Sequence, residues 1–99
     1  DNLTPSVWIE ATPKVVQTGG TTKLNWGVYN VGSFTCASSA SPDNSNWPDG
    51  TPITTSGEKS VSATFTGINT FTITCTNSDN ESGSASANVL VSRIREVAP

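Results

Sequence analysis

The stretch Asn69-Thr-Phe-Thr-Ile-Thr-Cys-Thr-Asn77 decides the fold. Phe71, Ile73 and Cys75 occupy alternate positions, with Thr72, Thr74 and Thr76 between them. A period of two puts the apolar set on one face of a strand and the threonines on the other. Threonine, branched at Cβ, also suits a pleated strand better than a helix. Downstream, Asn77–Gly83 (NSDNESG) is all turn chemistry and reads as a hairpin loop. Ser84–Ser92 then returns with Ala85, Ala87, Val89 and Val91 on one face. The small alanines imply close packing against something bulky, for which Trp26 is the candidate.

Upstream the same alternation recurs at short intervals. Glu58–Phe65 places Val61, Ala63 and Phe65 on one face, and Thr51–Ser56 forms a short edge strand behind Pro52. Ser39–Gly50 holds two prolines, a glycine and several Asn and Asp, each of which favours turn geometry, so it reads as a loop. Phe34 and Cys36 share a face in a short strand ending near Ser38. Gly27–Ser33 shows no clear period. Thr21–Trp26 sends Thr22, Leu24 and Trp26 inward, and Gly19-Gly20 before it is a turn. In Ser6–Ala11, Val7, Ile9 and Ala11 share one face while Trp8 points away. Pro13 breaks that strand, leaving Lys14–Gln17 free to resume on another sheet. The expectation is all-β: a seven-stranded sandwich with no helix.

Composition agrees. Fifteen Thr, fourteen Ser and nine Asn fill more than a third of the 99 residues, and only 13% of residues are charged. Such residues compete with the helical backbone for hydrogen bonds, which disfavours a helical domain. The length is enough for one core and not two. Residues 5–92 are therefore expected to form the domain, with 1–4 as a leader or linker and 93–99 as a C-terminal linker. Neither an initiator Met nor a signal peptide is present, as expected of a processed product or an excised fragment.

Several functions are excluded or weakened by the same counts. There is no His, so neither a histidine base nor a histidine metal ligand exists. Net charge is −3, and the five basic residues include no cluster beyond Arg93 and Arg95, so no nucleic-acid partner is expected. No apolar run approaches the ~20 residues of a membrane-spanning helix. Cys36 and Cys75 are the only cysteines, so a disulfide has a single possible pairing. A Ser/Thr/Asn-rich acidic chain reads as secreted, where that bridge forms and contributes ~4 kcal/mol in chain-entropy terms.

In order and spacing, Pro5–Pro13 (PSVWIEATP), Gly19–Trp26 (GGTTKLNW), Cys36, Trp47, Phe71–Asn77 (FTITCTN) and Ser84–Val91 (SASANVLV) resemble a bacterial immunoglobulin-like domain. Such domains occur in tandem in secreted and cell-surface proteins. The resemblance implies a Greek-key sandwich that spaces, displays or assembles other parts, extracellular and without catalytic residues or cofactors. The antibody order of Cys, Trp, Cys is not kept, because Trp26 precedes Cys36. By that comparison the bridge would join neighbouring strands of one sheet, and Trp26 would fill the space between sheets.

The candidate sites are modest. Asp43 and Asp49 flank a loop tip, and Asp79 and Glu81 sit in a hairpin turn, none forming a catalytic pair. Asn77, Asp79 and Glu81 alternate before Gly83 with oxygen donors that suit Ca²⁺, against the simpler reading of turn chemistry. Asn2 and Asn80 lie in glycosylation-type triplets that chance alone supplies in this composition. Trp8 and Trp47 are the residues able to stack on a sugar ring, with Asp43 and Asp49 as rim groups near Trp47. The competing reading folds Trp47 back over the core and packs Trp8 at a domain junction. The expected role is a structural module, whether spacer, stalk, surface-layer, adhesin or filament unit, meeting neighbouring domains or like subunits. The alternatives are a glycan-binding module built on Trp47 and a fibre subunit that pairs strand edges.

Overall fold

A computed structural model describes residues 5–29, 33–41, 43–63 and 65–92. The expected linkers 1–4 and 93–99, with Asn2, Arg93 and Arg95, lie outside the described residues. The described residues form eight strands: β1 (Val7–Thr12), β2 (Val15–Gln17), β3 (Thr21–Val28), β4 (Thr35–Ser41), β5 (Thr51–Ile53), β6 (Gly57–Ser62), β7 (Gly67–Thr76) and β8 (Ser82–Ser92). They form two sheets, β1-β3-β6 and β2-β8-β7-β4-β5. No helix long and apolar enough to cross a membrane occurs among the described residues.

The strand count is eight rather than the expected seven because Val15–Gln17 is a strand of its own. Proline has no N–H for a ladder, so the chain leaves β3 after Thr12. It crosses a cis Thr12–Pro13 bond and joins the other sheet, parallel to β8, with Val15 opposite Leu90 and Gln17 opposite Ser92. The Lys14 carbonyl accepts from the Leu90 N–H at 2.8 Å, and the Thr18 N–H donates to the Ser92 carbonyl at 2.9 Å. At the other end of β8, a Cβ on Gly83 would run into the Pro5 carbonyl. Residues 5–18 thus accompany β8 from its start to its finish, in the same direction. Pro5 lies at one pole and Ser92 at the other, nine residues of strand or ~30 Å away.

Between the sheets lies one core. Leu24, Val61, Phe71, Ile73, Val89 and Val91 are buried at its centre, each from an inward position of an alternating strand. Buried Thr22 keeps its place by donating its hydroxyl to the Pro13 carbonyl at 2.7 Å. Three expectations need correcting. β4 runs on to Ser41, because Ser39, Ala40 and Ser41 pair with Thr72, Phe71 and Thr70 of β7. Partners on a neighbouring strand outweigh the weak strand preference of Ser and Ala. Phe65, expected beside Val61 and Ala63, is 49% exposed: Ala63 still faces inward just past the end of β6, and the alternation does not extend to Phe65. The alanine end of β8 lies against β1, with Ile9, Ala11 and Ala87 among the residues that line a groove between them. Trp26, expected there, packs on Trp47.

Candidate functional site

Cys36 and Cys75 are bonded and stand directly opposite each other in the β4–β7 ladder, their Cα atoms 4.0 Å apart. The bridge therefore lies within one sheet and does not tie the two sheets together. That task falls to packing. Trp26, from β3, meets Trp47 edge to face with ring centroids 5.0 Å apart. Each indole N–H has a buried-side partner, Trp26 giving to the Thr54 carbonyl at 2.8 Å and Trp47 to the Thr72 carbonyl at 3.0 Å.

The loop after β4 is polar in sequence and inward in structure. Trp47 is 1% exposed, so the ring proposed for sugar stacking has no open face. Its neighbours hold it there. The Asn44 amide donates to the Ser62 carbonyl at 2.7 Å while its oxygen accepts from the Asn46 N–H at 2.8 Å. The Asn46 side-chain oxygen accepts from the Ser62 N–H at 2.9 Å. These bonds stitch the loop to the end of β6, on the opposite sheet from β4. Asp49, a proposed rim group, instead accepts the Ala40 N–H at 2.9 Å and so finishes the β4 edge. Asp43 is exposed and borders a shallow hollow with Asn44, Ser45, Pro48 and Asp49. The four site residues of the sequence reading are thus not brought together around a ligand face.

Asn77, Asp79 and Glu81 meet in the β7–β8 turn, where Asn77 is the hub of the hydrogen bonds. The buried Asn77 side-chain oxygen accepts the N–H groups of Asp79 and Glu81, both at 2.9 Å. Its amide donates to the Glu81 carboxylate at 3.0 Å. This is the chemistry of a turn, completed by Asn80 at φ 64°. No group of three or more His, Cys, Asp or Glu placed to hold a metal ion occurs among the described residues.

The remaining candidate, Trp8, does reach the surface. It lies on the outer face of β1, opposite Gly27 of β3. A Cβ at Gly27 would stand 2.7 Å from the indole nitrogen and 3.0 Å from Cε2 and Cζ2, so the ring occupies the space that any other residue's side chain would take. Glycine inside a strand costs about 0.5–1 kcal/mol, and here it makes the seat for Trp8. Tyr29, just past the end of β3, joins it at a centroid distance of 6.5 Å and a tilt of 41°, with 72% of its surface exposed. Sequence reasoning missed Tyr29 because it falls in a segment without a period. The signal available was the glycine in a strand facing a tryptophan.

No family profile and no curated protein matches the sequence. Solved structures do match. The CARDB domain of a Pyrococcus furiosus protein, determined in complex with di-metal ions, is similar over 92% of this chain and 94% of its own, at 20% identity and a TM-score of 0.57. The fibronectin(III)-like modules of CbhA from Clostridium thermocellum are similar over 88% of this chain and 99% of theirs, at 12% identity and a TM-score of 0.53. Such identities speak to architecture, which agrees with the strand order and the two packed sheets. The chain has the immunoglobulin-like β-sandwich fold.

Proposed function

We propose that this domain is a non-catalytic structural module of an extracellular protein, carrying load between neighbouring domains or like subunits. The observation that supports this most is the path of the chain. It enters near Pro5 and leaves at Ser92, at opposite ends of the long β8. A pull on the two ends therefore acts along β2 and β8, which are parallel, and loads their hydrogen bonds together rather than one after another. Repeated end to end, such a unit adds ~30 Å per copy. An oxidising setting is supported by the buried Cys36–Cys75 bridge. The linkers 1–4 and 93–99 would join it to its neighbours.

Stretching the chain between its ends tests the reading. The bridge confines residues 36–75, so force-unfolding of the oxidised protein should release only the 31 residues from Pro5 to Cys36 and the 17 from Cys75 to Ser92. At the extended length per residue that is roughly 160 Å, against roughly 300 Å after reduction. Val16→Pro, which removes an N–H from β2, should lower the unfolding force. A chain that yields without a force peak, or a peak unchanged by Val16→Pro, would remove the support for a load-bearing role.

A further inference from the structure

We propose that the outer face of the β1-β3-β6 sheet, at the Trp8–Tyr29 corner, is a binding site for a neutral sugar ring. The two aromatic residues are not there to fill the core, since Trp8 points away from it and Tyr29 is mostly in solvent. What surrounds them identifies the ligand. The next row across the sheet is Glu10 on β1, Asn25 on β3 and Glu58 on β6, which are register partners and share the outer face with Trp8. Neighbouring strands lie ~4.8 Å apart and outer-face residues repeat at ~6.7 Å along a strand, so backbone positions of Glu10, Asn25 and Glu58 stand ~7, ~8 and ~12 Å from that of Trp8, the span of two linked sugar rings. A pyranose offers an apolar C–H face to the indole and hydroxyls that donate to carboxylates and accept from an amide.

Other occupants fit less well. Lys23 faces Glu58 at 3.8 Å and offsets its charge, and the exposed carboxylate of Glu10 alone is a weak selector of an ion in water. Trp8 and Tyr29 rest on one another and do not form the open slot of an aromatic cage for a cation. A large apolar partner or a bilayer would have to strip water from Glu10, Glu58 and Lys23 without replacing it. A hydroxylated ligand satisfies those groups.

The three indole N–H resonances of the protein provide the test. Titration with maltohexaose, cellohexaose and mannohexaose should move the Trp8 signal saturably, in the millimolar range expected of one exposed ring. The Trp26 and Trp47 signals, bonded to the Thr54 and Thr72 carbonyls, should stay in place. Tyr29→Ala removes a side chain that is largely in solvent, so it should leave the melting temperature unchanged and weaken the response about tenfold or more. No movement at Trp8 with any of the sugars, or the same response in Tyr29→Ala, overturns the proposal. So does a stronger response to tetramethylammonium, which would make the corner a cation site.

Discussion

Trp47 and Trp8 lie opposite to what the polarity of the sequence around them suggests: Trp47 is in the core, and Trp8 is at the surface, where its alternation sends it. Trp47 stands among Asp43, Asn44, Asn46 and Asp49, a strongly polar neighbourhood, and is buried. Trp8 stands between Val7 and Ile9, in an apolar stretch, and reaches the surface. The polar residues round Trp47 are not solvated decoration. They spend donors and acceptors on the backbone of β4 and β6, which lets a polar loop close the open side of the sandwich with its inward side chains bonded. The apolar residues round Trp8 alternate, so the ring between them is sent outward by the pleat. Burial follows from where a residue's neighbours find partners, and composition of the surrounding window is a poor guide to it.

Substitution can break this contrast. The largest effect is expected at Trp47→Ala, which empties the most voluminous buried site and should cost about 3–5 kcal/mol. In a domain of this size that lowers the melting temperature by well over ten degrees, readable by thermal denaturation. Asn44→Ala comes next. It leaves the Ser62 carbonyl and the Asn46 N–H without their partner and should cost about 1–3 kcal/mol by urea denaturation. Trp8→Ala is expected to be the mildest, about 1 kcal/mol, because the ring is partly in solvent and lies outside the core. If Trp8→Ala proves more damaging than Trp47→Ala, the two rings have been assigned to the wrong regions.

Much of the fold was legible because its strands announce a period of two. Phe71, Ile73 and Cys75 face inward as their spacing requires, and Thr22, Leu24 and Trp26 do the same on the other sheet. The failures occur where a long-range partner decides. Ser39–Ser41 has little intrinsic strand preference and becomes strand because β7 pairs with it. Val15–Gln17 does resume on the other sheet as expected, but it is too short to show a period, and its standing as a separate eighth strand comes from β8. Phe65 continues an alternation in sequence that the backbone has already abandoned. The site was less legible still. Trp8 could be sent outward from its neighbours alone, but its corner needs Gly27 and Tyr29, brought beside it by the β1–β3 register. Asn77, Asp79 and Glu81 illustrate the converse, since oxygens at alternate positions serve a turn as readily as a cation.

Hydrogen exchange at the three indole nitrogens reads the burial of all three rings in one unmodified molecule. The account predicts that the Trp26 and Trp47 N–H groups, buried and bonded to the Thr54 and Thr72 carbonyls, exchange only when the whole domain opens. The Trp8 N–H, on the outer face, should exchange far faster. A Trp47 indole exchanging as fast as that of Trp8 would mean that the loop stands off the core, and the account would be contradicted.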